Sequence, residues 1–287
     1  MNKKIGFIGS GNMARAMIAG LFKSNITFSD NIMASNRTID KLDKLKEQYN
    51  ISTTLNNKEV AEFADILVLS VKPNKYESVI AEISQYVKNE VIIVSIAAGI
   101  SIDTICRWFK RELKIVRTIL NTPALVGEAM TGLCYNKMVN EEDIRYIKEI
   151  FSSFGTCEVI DEELMDVVTA VSGSSPALVY MFIEALADGA VLKGLPRDKA
   201  YKMASQAVLG SAKMVMETGC HPGKLKDEVC SAGGTTIEAV FSLEKRGFRG
   251  HVIESIERCV EKAEKLGKAF NSSINGIQVK NEDENKL

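Results

Sequence analysis

Residues 5–14 read Ile5-Gly6-Phe7-Ile8-Gly9-Ser10-Gly11-Asn12-Met13-Ala14, and an apolar helical stretch through Met17, Ile18 and Leu21 follows. A short apolar run, a two-glycine turn and a helix start form the strand-turn-helix context that a dinucleotide fingerprint requires. Gly9 permits the tight turn, Gly11 lets the backbone approach a pyrophosphate, and Ala14 in the third position still allows the helix to pack closely on the strand. Ser10, Asn12 and Met13 surround the free first-turn amides, whose positive dipole end suits phosphate.

Reading outward, the second strand ends in Met33-Ala34-Ser35-Asn36-Arg37-Thr38, about 25 residues past Gly11, where an NAD-specific protein places Asp or Glu against the ribose 2′-hydroxyl. No acid stands there. Ser35, Asn36 and Arg37 offer donors, with Lys41 one turn onward, and a cation at this place suits the extra phosphate of NADP. NADPH is the expected cofactor, with NADH also possible. Three further segments follow buried strands and reach the same carboxyl edge, where open α/β sheets bind ligands. They are Val71-Lys72-Pro73, Ala97-Ala98-Gly99 and Asn121-Thr122-Pro123. Their small side chains and amide are reasonable neighbours for a nicotinamide ring.

Alternating β-branched runs and polar helical stretches fill the first half, the pattern of a parallel sheet covered by helices on both faces. Strands are expected at 4–8, 31–35, 66–70, 91–96, 115–120, 132–135 and 157–160, and helices from near Asn12, Thr38, Asn57, Lys75, Ser101 and Asn140. Ser101 and Asn140 are good helix caps, because a short side-chain oxygen accepts from unpaired first-turn amides. Beyond Asp161 strand-like runs stop, and Met, Ala, Glu, Lys and Leu recur at helical spacing almost to Phe270. The stretch 162–193 has a broad apolar face with a kink or break expected at 172–176, since Pro176 lacks an amide and clashes with the preceding turn. The fold class is therefore α/β: a Rossmann-type doubly wound sheet over 1–162, an all-helical domain over 163–272 and a polar, disordered tail over 273–287.

The 287 residues carry 36 Lys plus Arg against 37 Asp plus Glu, a net charge of -1 that leaves no global field for nucleic acid or an anionic membrane. Apolar stretches such as 66–71 and 91–100 fall short of the roughly 18 to 20 residues that span a bilayer, so no membrane segment and a cytoplasmic location are expected. Six cysteines without a C-x-x-C pair, joined only by His221 and His251, offer no metal site and read as reduced thiols. The apolar face of the helix over 167–192 exceeds what a small domain can cover, which points to a homodimer through 164–270.

One more motif carries chemistry: Ser231-Ala232-Gly233-Gly234-Thr235-Thr236 opens an apolar helix, and two glycines flanked by hydroxyls make an amide nest for a carboxylate. The alternative at this point is a helix cap, with Thr235 or Thr236 satisfying first-turn amides. Taken with Phe7–Met13, Val71-Lys72-Pro73, Asn121–Gly127, Ser172–Ala177 and His221–Asp227 in this order, the motif makes residues 3–270 resemble the pyrroline-5-carboxylate reductase family.

That resemblance implies reduction of L-1-pyrroline-5-carboxylate to L-proline by an NADP(H) domain and a helical domain paired between two chains, with the active site between the domains. Higher rings of dimers are possible on the same ground. It implies further that Ser231, Gly233, Gly234 and Thr235 hold the substrate carboxylate and that Thr236, the catalytic candidate, faces the ring nitrogen. The family usually has proline at Ala232 and glycine at Ser175; the first difference gives the unbound loop more conformations. Two other readings stay open. One is a β-hydroxyacid dehydrogenase-like oxidoreductase, disfavoured because the stretch 171–178 lacks the lysine of its G-x-x-G-x-x-x-K pattern. The other is a redox-silent NADP(H)-binding regulator.

Overall fold

The computed structural model describes residues 3–284, with side chains over 3–270. The expected tail over 273–287 lies outside the residues described with their side chains. Strands and helices alternate as β1 (Ile5–Ile8), α1 (Asn12–Lys23), β2 (Ile32–Ser35), α2 (Ile39–Tyr49), β3 (Ser52–Thr54), α3 (Asn57–Phe63), β4 (Ile66–Leu69) and α4 (Tyr76–Ile83). They continue as β5 (Ile92–Ser95), α5 (Ile102–Phe109), β6 (Lys114–Leu120), β7 (Ala129–Tyr135), α6 (Glu141–Ser152) and β8 (Gly155–Val159). The remainder is helical: α7 (Met165–Val168), α8 (Ser175–Leu192), α9 (Arg197–Thr218), α10 (Pro222–Val229), α11 (Thr235–Lys245) and α12 (Phe248–Glu284).

The eight strands run in the order β3-β2-β1-β4-β5-β6-β7-β8, parallel except where β7 pairs antiparallel with β6. β3 is an addition to the expected set. It has three residues, none of them buried, so it leaves almost no hydrophobic signature. Alternation along the strands divides the core between two sheet faces: Ile66 and Val68 pack with α1 and α6, and Leu67 and Leu69 with α3, α4 and α5. Gly6 sets the distance of α3 from the sheet, and Gly20 that of α1 from the turn after α6. A Cβ on Gly6 would lie 2.7 Å from Val60 Cγ1, and one on Gly20 would lie 2.6 Å from Phe154 Cβ. The two expected caps are present: Thr104 donates its amide to Ser101 Oγ, and Asn140 forms a reciprocal capping box with Asp143.

The chain divides into two compact units, one reaching Ser174 and resuming at Cys259, the other Ser175–Arg258. The first thus extends beyond the boundary expected at 162. Buried Arg117 on β6 explains part of this, because its guanidinium binds Glu162 at 3.3 Å and Asp166 at 3.4 Å.

The expected break at 172–176 takes the form of a π-helical turn over Thr169–Ser174 that passes directly into α8. Pro176 has no amide to give the carbonyl four residues back, at Ser172. Asn121 Nδ2 donates to that carbonyl at 3.1 Å, while Asn121 Oδ1 accepts from the Met130 amide at 3.0 Å. The helical run therefore continues across the proline, and Glu162–Leu192 becomes long and apolar enough by composition to cross a membrane, an 18-residue window within it having a mean hydropathy of 1.4. The expectation of no membrane segment rests on uninterrupted apolar runs such as 66–71 and 91–100, whereas this stretch reaches its length by joining the two sides of 172–176. Core helices of soluble proteins pass the same test, and a single such helix is weak evidence for a span.

Within Ser175–Arg258 the only buried hydrophobic residues are Ala187, Ala200 and Ala204. Leu192, Met203 and Met216 remain 82%, 64% and 73% exposed. The six cysteines are free thiols, and burial pushes that of Cys134 up to about 12.

Candidate functional site

Strand order reverses between β1 and β4, whose ends are in register at Ile8 and Leu69, while Ile8 also pairs Ser35 of β2. The connections leaving all three strands therefore begin at one level of the same edge. They enclose a groove of about 630 Å³ lined by Gly9, Ser10, Gly11, Asn36, Arg37, Val71 and Lys72, among others.

The glycine loop is built by different requirements at its two glycines. Gly9 has φ +96°, and a Cβ there would lie 2.7 Å from the Ser70 carbonyl oxygen. Only glycine fits that conformation and that approach. Gly11 is the opposite case: a Cβ would meet nothing within 4 Å, so its side is open to a ligand. As the α1 N-cap, Gly11 supplies no side-chain acceptor for the first-turn amides, which begin at exposed Asn12 and half-buried Met13. Ser70 fixes the loop from below, its hydroxyl donating to the Gly9 carbonyl at 2.6 Å.

At the β2 end, Asn36 turns inward: its Nδ2 donates to Ser10 Oγ at 2.8 Å and its Oδ1 accepts from the Thr38 amide at 3.0 Å. Asn36 thus locks the two loops together, leaving exposed Arg37 and Lys41 as the cations beside them. Ser35 is fully buried and donates to Asn57 Oδ1 at 2.7 Å, acting beneath the groove. Lys72 and Lys75 bring the lining cations to four, against the single carboxylate of Glu82. An open glycine, uncapped helix amides and this charge balance fit the diphosphate and extra phosphate of an NADP-type dinucleotide.

The other edge residues sit outside that lining. Pro73 starts a short 3-10 turn over Pro73–Lys75, and Pro123 lies in another over Thr122–Val126. Ala97 is buried, Ala98 half-buried, and Gly99 has φ +77°. Gly99 lies so close to α12 that an added Cβ would be 3.3 Å from the Gly267 nitrogen. Asn121 is buried in the clasp around the π turn, with its Nδ2 engaged by Ser172.

Two groups that sequence reasoning passed over order this edge. Tyr76 is fully buried, and its hydroxyl donates to the Leu69 carbonyl at 2.5 Å while accepting from the Ile96 amide at 3.2 Å. It ties the end of β4 to the end of β5, and burial raises its own ionisation to about 12, so it stays a neutral donor. Its partners lie 7 and 20 residues away on two different strands, so only the preference of buried tyrosine for a polar partner could have signalled it. Asn57 is the second, legible in sequence only as a helix start.

In the helical unit, Gly234 is the N-cap of α11 and makes no side-chain cap hydrogen bond. Gly233 has φ +68°, and a Cβ on Gly234 would lie 2.4 Å from Ser231 Oγ. The Gly234 amide donates to the Ser231 carbonyl at 3.1 Å, folding the loop back on itself. Thr235 is exposed and Thr236 half-buried, and neither side chain caps the helix. The cap position thus belongs to Gly234 and not to either threonine, with Ser231 Oγ beside it.

A doubly wound sheet with a glycine loop at its switch point, followed by a helical unit, defines a dinucleotide-binding protein of oxidoreductase type. Residues 4–99 match the family described as NADP oxidoreductase coenzyme F420-dependent, and 162–266 match pyrroline-5-carboxylate reductase dimerisation. The pyrroline-5-carboxylate reductase of Escherichia coli is 50% identical over 94% of this chain and 100% of its own length. The crystal structure of the Plasmodium falciparum pyrroline carboxylate reductase with NADP bound is 36% identical, covering 93% of this chain and 98% of that one with a TM-score of 0.84. A Coxiella burnetii pyrroline-5-carboxylate reductase superposes with a TM-score of 0.88 at 33% identity, covering 93% and 99% of the two chains. The chain belongs to the pyrroline-5-carboxylate reductase family, and the dehydrogenase and redox-silent readings are not favoured.

Proposed function

We propose that the protein reduces L-1-pyrroline-5-carboxylate to L-proline with NADPH, and less effectively with NADH. The observation that carries this reading is family kinship running unbroken through both the cofactor groove and the Ser231–Thr236 loop. The bound dinucleotide supplies a hydride for the C=N carbon. The protein's own share is positioning. Gly9, Gly11 and the first-turn amides of α1 hold the diphosphate, with Ser10, Asn12 and Met13 around them. Arg37 and Lys41 hold the 2′-phosphate, with Ser35 and Asn36 fixing the loop that presents them. Val71, Lys72, Pro73, Ala97, Ala98, Gly99, Asn121 and Pro123 shape the remaining sheet edge.

The substrate carboxylate is held by Ser231, Gly233, Gly234 and Thr235, whose short side chains leave the α11 amides accessible. Thr236 hydrogen-bonds the ring nitrogen, orienting the imine or relaying its proton. Support comes from the position of Thr236 in the first turn of α11, next to the Gly234 cap position. Residues 163–272 form the substrate and dimerisation domain, and the protein works as a cytoplasmic homodimer, with rings of dimers as a larger assembly. The apolar side chains left bare on α8 and α9 support the dimer, since a monomer rarely exposes so large a patch. Oxidation of NADPH dependent on added pyrroline-5-carboxylate, with proline as product, tests the reaction; no turnover by the purified oligomer would overturn it.

A further inference from the structure

The end of β2 lacks the acid that would read a ribose hydroxyl, yet the groove contains a carboxylate from another element. Glu82 lines it from α4, together with Arg37, Lys41 and Asn57. Glu82 Oε2 accepts from Asn57 Nδ2 at 3.0 Å, and Asn57 Oδ1 accepts from Ser35 Oγ at 2.7 Å. A carboxylate can only accept, so this chain determines which way the Asn57 amide points. It also links Glu82 to the β2 terminus where the missing acid would stand.

We propose that Glu82 is a specificity-determining residue that lowers the groove's preference for a dinucleotide carrying a 2′-phosphate. The proposal rests on the reading of this groove as an NADP(H) site. Arg37 and Lys41 favour the additional negative charge, whereas the one lining carboxylate opposes it. A free ribose hydroxyl, by contrast, can donate to a carboxylate, and a phosphate in its place cannot. The balance of the two sets keeps the groove open to NADH as well as NADPH.

Glu82→Gln removes the charge and retains an oxygen that can accept from Asn57. Because Glu82 is exposed, the substitution leaves the core untouched. Calorimetric binding of adenosine 2′,5′-bisphosphate and of AMP to the intact protein reads the groove without turnover, with Arg37→Ala measured in parallel. The expected result is bisphosphate bound about two- to five-fold more tightly by Glu82→Gln, the range of a single partly screened charge, with AMP bound no more tightly. The NADPH to NADH ratio of kcat/KM should rise by the same factor. Unchanged or weaker bisphosphate binding, with Arg37→Ala still losing it selectively, overturns the role of Glu82 and leaves the 2′-phosphate reading standing. If neither variant alters discrimination between the two nucleotides, both fail.

Discussion

The unit built on the sheet and the unit Ser175–Arg258 solve opposite problems. The strands β1, β4 and β5 are buried at every residue, and their outgoing loops are held by Ser70, Asn36 and Tyr76. The Ser70 and Asn36 bonds join residues 61 and 26 apart in sequence, so the fold itself draws these loops together. In α8 a single residue, Ala187, is buried, while Tyr180 and Met181 stand 58% and 65% exposed. One unit completes its own core, and the other leaves bare the apolar surface on which the proposed dimer rests. A charge placed on the second should therefore disrupt assembly, and strain placed in the first should disrupt folding or binding.

The largest effect is expected from Met181→Asp. An aspartate buried without a partner at an interface costs about 3 kcal/mol or more, over a hundredfold in dimer dissociation. Sedimentation equilibrium should show monomer at concentrations where the wild type is associated. Leu55→Asp, on a residue 60% exposed in the sheet unit, should leave association unchanged. Equal behaviour of the two variants would dissolve the contrast between the units.

Next come the two loop glycines, which the sequence motif treats alike and the structure separates. Gly9→Ala combines a positive φ with a backbone clash and should destabilise the fold by about 2 to 4 kcal/mol, read as a fall in Tm. Gly11→Ala meets no protein atom, so its stability cost should be at most about 1 kcal/mol, that of a changed helix cap. NADPH binding should nevertheless weaken at least about tenfold, because the methyl occupies the pyrophosphate approach. A Gly11→Ala protein with wild-type affinity would remove the diphosphate from that position.

This split shows how far the sequence was legible. Strong local patterns were sufficient for the β1 turn, seven strands, the caps at Ser101 and Asn140 and the change to helix after Asp161. β3 was missed because a three-residue edge strand without buried residues has no periodicity to detect. The sequence reads as a break at the π turn because proline chemistry is local, whereas its compensation by Asn121 arrives from 51 residues away. The inward turn of Asn36 onto Ser10 and the Ser35–Asn57–Glu82 chain were hidden for the same reason: spacing reveals which side chains reach the sheet edge, but not which already have partners.

Arg37→Ala sharpens the comparison inside the groove itself. With Asn36 engaged by Ser10, the 2′-phosphate depends on Arg37 and Lys41. Loss of one charge-assisted contact should lower kcat/KM for NADPH by about 1.5 to 3 kcal/mol, roughly tenfold or more, with NADH much less affected. An unchanged NADPH to NADH ratio would contradict the assignment.

The smallest effect is expected from Thr236→Val, yet it discriminates most sharply between a structural and a chemical role for the α11 loop. Valine keeps the β-branched shape, so packing changes little and only the hydroxyl is removed. Were that hydroxyl a helix cap, its loss would cost order 1 kcal/mol of stability with near-normal kinetics. Gly234, not Thr236, occupies the cap position of α11, so Tm should stay within about 1 °C of wild type, the scatter of a neutral surface substitution. The free energy should appear in catalysis instead. One hydrogen bond to the imine nitrogen contributes about 1 kcal/mol, a fall of roughly fivefold in kcat/KM for pyrroline-5-carboxylate. Affinity for NADPH should not change, because the cofactor contacts lie in the glycine loop and the β2 terminus. A lowered Tm with unchanged kcat/KM would return Thr236 to a structural role and leave the carboxylate nest without a catalytic partner.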